Sequence, residues 1–165
     1  MRNNLFKLLL LLTFVLATVT AWATVSEYAF TATNGTFAEI SGGTIHGTSA
    51  NDNENFMAVP IGFNFTYNGQ VWTEISINTN GFIAMGPTVA SSYLALSAAT
   101  GTNNVIAGMN RDLISKADGE IMTLSTGTAP NRVFTVQWKH YRRYPTTATN
   151  DDWTFQIKLA EAGNA

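Results

Sequence analysis

The chain contains no cysteine, and only 12% of its 165 residues are charged. The first absence excludes a disulfide framework of the kind that braces small secreted domains. It also excludes the cysteine-borne lipid anchor of bacterial lipoproteins. Sparse charge, with a formal net value of −2, argues against a general binder of nucleic acid or of an anionic membrane surface. Histidine is scarce too. His46 and His140 stand alone, with no H-E-x-x-H pattern around either. No serine or cysteine nucleophile signature occurs, and no phosphate-cradling glycine loop. A hydrolase of the sandwich type would need two carboxyl groups facing each other across a cleft. Glu54, Glu74 and Glu120 are the candidates, and nothing in their spacing brings any two together. The expectation is a protein without enzymatic activity.

What is present begins with the N-terminus. Arg2 and Lys7 flank a short polar start, Leu8 to Val19 is almost wholly apolar, and Ala21-Trp22-Ala23 places small residues where a signal peptidase reads. These are the parts of a secretory signal peptide over residues 1–23. Leu5 to Ala23 approaches the length of a membrane span. The threonines within it, the Ala-x-Ala step and the lack of charge after it favour cleavage, so no membrane insertion is expected of the mature chain. Cleavage removes Arg2 and Lys7 and leaves residues 24–165, mildly acidic and of a size for one domain. Small extracellular modules of animals usually carry disulfides. A cysteine-free exported chain therefore points to a bacterial protein, secreted or held at the cell surface.

The mature chain reads as strands and turns. Ile61, Phe63, Phe65 and Tyr67 recur with period two, which puts them on one face of a strand. Asn68-Gly69 then supplies the two left-handed residues of a type I′ turn, and Val71 to Ile77 returns. Asn80-Gly81 marks a second tight turn before Phe82 to Met85. Tyr28 to Thr33 and Thr36 to Ile40 are expected as strands joined at Asn34-Gly35, followed by a short strand over Thr44 to Thr48. Ala50 to Phe56 is expected as a polar loop. Ser91 to Thr102 is rich in Ala, Ser and Thr and reads as a long loop or a weak helical turn. Val105 to Met109 reads as a short buried strand. Ile121 to Ser125 and Val133 to Tyr141 flank a loop over Gly127 to Asn131. Trp153, Phe155, Ile157 and Leu159 alternate with polar residues as a half-buried strand does. Eight or nine short strands without a convincing amphipathic helix indicate an all-β fold, an antiparallel β-sandwich.

Four segments carry a resemblance: VPIGFNFTYNGQVWTEISINTNGFIAMG at 59–86, NNVIAGMNRDL at 103–113, GTAPNRVFTVQWKHYRRY at 127–144 and DDWTFQIKLAE at 151–161. In this order and spacing they resemble a family of secreted N-terminal modules from Bacteroidetes-type bacteria, distantly similar to the extracellular domain of nidogen. The resemblance implies a β-sandwich, usually followed by fibronectin type III-like repeats and a C-terminal sorting domain for type IX secretion. It supplies no catalytic residues. For Phe63, Phe65, Asn80, Gly81, Phe82, Trp138 and Phe155 it implies turn and core roles. The family's last strand has no counterpart after Asn164, so residues 24–165 are expected to be a module truncated at its C-terminal end, or the first unit of a longer protein.

The remaining candidates are residues for binding. Alternation from Phe134 and Val136 places Trp138 inward and Lys139 and Tyr141 outward, with Arg142, Arg143 and Tyr144 at the strand's end. Together with Trp72 these offer aromatic faces for sugar rings and guanidinium groups for carboxylates or sulfates. The plainer reading pairs the arginines with Asp112, Asp151 or Asp152. Oxygen-rich loops can hold Ca²⁺. Asn51 to Gly62 lacks the glycine and closing glutamate of an EF-hand loop, which leaves Asp151 and Asp152 as the candidate metal ligands and otherwise no cofactor. Two N-glycosylation sequons, at Asn34 and Asn64, are coincidental in a bacterial chain. The expected role is structural or adhesive within a larger extracellular protein, with other modules or surface glycans as partners. A carbohydrate-binding module is the alternative.

Overall fold

The computed structural model describes residues 28–87, 103–145 and 150–163. The expected signal peptide and the Ser91 to Thr102 stretch lie outside them. Eight strands follow in order: β1 (Thr44–Gly47), β2 (Asn55–Tyr67), β3 (Gln70–Asn78), β4 (Phe82–Met85), β5 (Val105–Ala107), β6 (Leu113–Thr126), β7 (Val133–Arg143) and β8 (Trp153–Ala160). They form two four-stranded antiparallel sheets, β1-β6-β7-β8 and β2-β3-β4-β5. There is no helix among the described residues.

The period-two pattern of β2 is the clearest cause of the layering. Val59, Ile61, Phe63, Phe65 and Tyr67 are buried, while Pro60, Gly62 and Asn64 between them are exposed. Facing them from the other sheet are Ile121, Phe134, Val136, Trp138, Ile157 and Leu159, all buried. Each such side chain contributes roughly 1.5–3 kcal/mol through removal from water. The Trp138 ring stacks on Phe155 at 5.1 Å, and its Nε1 donates to the Asn78 carbonyl at 3.0 Å, so the largest core residue has its one polar atom satisfied. Phe63, Phe65, Phe82 and Trp138 are core residues as the resemblance implied, and Phe155 packs against them from the rim.

Turn chemistry behaves as the residues dictate. Asn68 and Gly69 both have positive φ, 52° and 70°, which is the type I′ geometry. At the second turn Asn78 pairs with Phe82, Gly81 N–H donates to the Asn78 carbonyl, and Gly81 alone is left-handed. That is a three-residue hairpin loop closed by glycine.

Two expectations are corrected. No strand forms over Tyr28 to Ile40. That Thr- and Ala-rich stretch has no period-two apolar face to bury, and Phe37 is exposed. Residues 38–40 are instead tied to side chains on β7 and β8. Ile40 N–H donates to Gln137 Oε1, Gln156 Nε2 donates to the Ala38 carbonyl, and Glu39 meets Lys139 Nζ at 2.7 Å. The second correction is of length. β2 begins at Asn55, inside the expected polar loop, and β6 begins at Leu113 rather than near Ile121. The Lys116-Ala117-Asp118-Gly119 insertion, where the β6–β7 register shifts, hides the first half of β6 from a hydrophobicity pattern.

Candidate functional site

Topology gathers four connections at one end of the sandwich: residues 48–54, 79–81, 108–112 and the described parts of the β7–β8 connection, 144–145 and 150–152. Most of the residues singled out as binding candidates belong to this pole, and their settings differ from the simple alternation. β7 advances three residues from Trp138 to Tyr141 while β8 retreats two, from Phe155 to Trp153. One residue of β7 is therefore extra, and His140 carries the bulge with φ of 53°. The bulge inverts the facing, so Tyr141, expected outward, is fully buried. Its phenol lies near Ser115 without a hydrogen bond of normal geometry. Burial, and then the Glu54 carboxylate, push its pKa well above the ordinary tyrosine value.

Trp72 is corrected in the same sense. It is half-buried, pairs with Phe65, donates its Nε1 to the Tyr67 carbonyl at 3.2 Å and packs against the core. Only Tyr144 among the three proposed aromatic faces is exposed, at 45%. Arg142 is half-buried opposite Ile114. Arg143 holds Asp151 through Nε–Oδ2 at 2.7 Å and Nη2–Oδ1 at 3.3 Å, with its guanidinium 5.8 Å from the Trp153 ring centre. This two-pronged bond keeps the Asp151 carboxyl below the usual carboxylate range. Asp152 accepts from Lys116 Nζ at 2.7 Å and lies 2.8 Å from His140 Nδ1, which lowers its pKa likewise. The two expected metal ligands are thus already matched with side-chain cations. Among the described residues no three acidic, histidine or cysteine side chains converge in a metal-holding group. Glu54, Glu74 and Glu120 lie on the 48–54 connection, on β3 and on β6 respectively.

Sequence reasoning missed the scaffold beneath this pole. Asn78, Thr79 and Asn80 are buried almost completely. Asn78 Oδ1 accepts from Asn80 N–H, and Asn80 Oδ1 accepts from Leu113 N–H at 2.7 Å. Asn78 Nδ2 donates to Asn55 Oδ1 and Asn80 Nδ2 to Asn53 Oδ1. Asn51 and Ser115 exchange bonds, Asn51 N–H to Ser115 Oγ and Ser115 N–H to the Asn51 carbonyl, and Glu54 and Thr79 do the same. Asparagine suits this because one short side chain offers both donor and acceptor to backbone groups that no ladder reaches. On that scaffold sit Asp52 and Asp112, each with a buried Oδ1 that has no hydrogen-bond partner. Burial raises the pKa of both. For Asp112 the Asp52 charge adds to it and the Arg111 charge opposes it. The available signal was the run Asn51-Asp52-Asn53-Glu54-Asn55, which is dense in turn-formers yet leads straight into a strand.

With the geometry in place, the comparison with known families is decisive. The model of the NIDO-related family matches residues 27–165, which takes in all eight strands. The chain belongs to the NIDO-related family. The four segments that carry the nidogen-like resemblance fall on β2 to β4, on β5 with the start of β6, on the β6–β7 connection with β7, and on β8 of this NIDO-related module. Neither the curated proteins nor the solved structures gave a match.

Proposed function

We propose that this NIDO-related chain is a non-catalytic extracellular module that serves a structural or adhesive role in a larger secreted or cell-surface protein of a bacterium. The observation that carries the reading is the family match across the whole sandwich. Two features support it. The N-terminal segment has the parts of a cleavable signal. The pole gathers four connections on a buried asparagine scaffold, and connections held by a rigid sandwich are where such folds usually place binding. The partners are other extracellular modules, and the parent protein is of the Bacteroidetes kind, with fibronectin type III-like repeats and type IX export. The glycan-binding alternative rests on outward aromatics and retains Tyr144 alone.

The test is to express the full chain with a C-terminal tag in a bacterium of that group, fractionate the cells and measure the mass of the exported form. A product beginning at Thr24 outside the cytoplasm, together with retention of surface proteins on the immobilised module, is the expected result. A chain that stays in the cytoplasm with residues 1–23 attached refutes the reading. Retardation in an affinity gel by any polysaccharide would move the assignment to the glycan alternative.

A further inference from the structure

β1 and β2 are the edge strands of their respective sheets, and between them the sandwich does not close. A cavity of about 440 Å³ opens there. Val59 of β2 and Phe134 of β7, both buried, lie deepest, and Pro60 and Leu124 wall it nearer solvent. Four polar side chains line it as well: Thr44, exposed at the rim, His46, Thr123 and Ser125. His46 Nε2 and Thr123 Oγ1 are 2.9 Å apart and hold each other in place. Ser125 Oγ reaches only a long 3.4 Å bond to the Ile61 carbonyl. Close approach of the backbone on the remaining side is built in, since a Cβ on Gly43 would lie 2.1 Å from the Thr123 carbonyl oxygen.

The chemistry of the lining selects a ligand. Among the described residues no carboxylate, ammonium or guanidinium group borders the cavity. Burial lowers the pKa of His46, which keeps the imidazole neutral. A charged ligand would lose its hydration there without gaining a counter-charge. A sugar, with hydroxyls around its whole edge, would leave several of them against Val59, Pro60, Leu124 and Phe134 without partners. The volume and the mixture of an apolar lining with a few placed polar groups are those of small-molecule sites.

We propose that this cavity binds an uncharged small molecule with a flat apolar body and a single hydroxyl or amide end. The body lies against Val59, Pro60, Leu124 and Phe134, and the polar end meets Ser125 and the His46–Thr123 pair. This site is separate from the loop pole and does not depend on the adhesive reading.

The probe is p-cresol, a neutral ring with one hydroxyl, titrated into the isotope-labelled full chain while NMR follows the His46 imidazole and the Thr123, Leu124 and Ser125 amides. Saturable shifts confined to these groups are expected, with millimolar affinity as befits so small a ligand. The anion of p-methylbenzoic acid, similar in shape but charged, is expected to bind at least about tenfold more weakly. Ser125→Phe adds bulk at an exposed rim position and is expected to weaken p-cresol binding at least about tenfold with an unchanged unfolding midpoint. If that variant does not fold, Thr44→Trp, also at an exposed lining position, takes its place. Shifts that do not saturate or that map elsewhere, equal binding of the anion, or full binding by the folded rim variant would each overturn the proposal.

Discussion

Asp52 and Asp112 each turn a carboxylate oxygen into the protein with no donor to receive it, and burial raises the pKa of both, the Asp52 charge adding to the rise at Asp112. A carboxyl group whose folded pKa is raised binds its proton more readily in the native state than in the unfolded one. Its effect on stability is therefore unfavourable at neutral pH and fades as pH falls through the raised folded value. Asp151, Asp152 and Glu161 run the opposite way. Their folded pKa values are lowered, so the stability they lend is complete above the ordinary carboxylate range and is lost as pH falls through the folded values. Asp112→Asn separates the two groups. Both carboxylates are partly solvated, so screening reduces the gain to about 0.5 kcal/mol at pH 7. The gain should shrink toward zero in acid, where Asp112 is already protonated. Urea unfolding at the two pH values checks this, and an equal effect at both would mean that charge is not the cause. Tyr141→Phe tests a different absence. Its buried hydroxyl lacks a normal hydrogen bond, so removing it should leave stability within about 0.5 kcal/mol of the parent or raise it, in contrast to the 1–3 kcal/mol loss when a satisfied buried group is orphaned.

At the scale of the element, the β7 bulge decides which side chains reach the core. His140 has φ of 53°, a region that a β-branched residue enters only under strain and that asparagine tolerates. His140→Val and His140→Asn both remove the contact with Asp152, and the valine variant should be less stable than the asparagine variant by about 1–2 kcal/mol. Equal unfolding midpoints would show that the bulge is held by its surroundings and not by this residue's backbone. The same element explains how far the sequence could be read. Stretches with an uninterrupted period of two, β2 from Ile61 onward and β8 from Ile157 onward, are legible because each residue's neighbours announce its face, whereas on β3 Ile75 to Asn78 are all buried and Trp72 is misread. The Asn68-Gly69 turn is legible because few other pairs take two left-handed conformations in succession. Tyr141 is misread because a bulge adds one residue without any hydrophobic signal, and every facing beyond it changes sign. The pole is illegible for another reason. Several of its bonds join residues far apart in sequence, Glu54 with Thr79 at 25 residues and Asn53 with Asn80 at 27, and no local pattern encodes such a pairing.

For the molecule as a whole the question is what joins two sheets that no disulfide links. The apolar interior supplies most of the attraction, but it is non-directional and does not set the alignment of one sheet on the other. Arg132, in the connection between β6 and β7, supplies a directional tie. Its Nη1 donates to the Gly62 carbonyl of the opposite sheet at 2.7 Å, its Nε donates to Glu161 Oε2 at 2.8 Å, and its Nη2 bonds the other Glu161 oxygen. The guanidinium also stands 5.3 Å from the centre of the Phe63 ring. One side chain thus touches β2, the residue that follows β8 and the core's edge, and the planar fork of arginine is what lets it reach all three. Arg132→Lys keeps the charge but not the fork, so it should lower the urea midpoint nearly as far as Arg132→Met. Glu161→Gln should lower it less, because the bond to Gly62 survives. Salt discriminates between the parts of the tie. At 1 M NaCl the loss caused by Glu161→Gln should shrink, since a half-buried ion pair is partly screened, while the loss caused by Arg132→Lys should persist through the missing bond to Gly62. Combining the two substitutions completes a cycle whose coupling should be larger at low salt than at high salt. Arg132 and Glu161 effects that simply add at low salt would show that the ion pair does not help to hold the sheets in register. The bond to the Gly62 carbonyl and the contact with the Phe63 ring would then be left to align them.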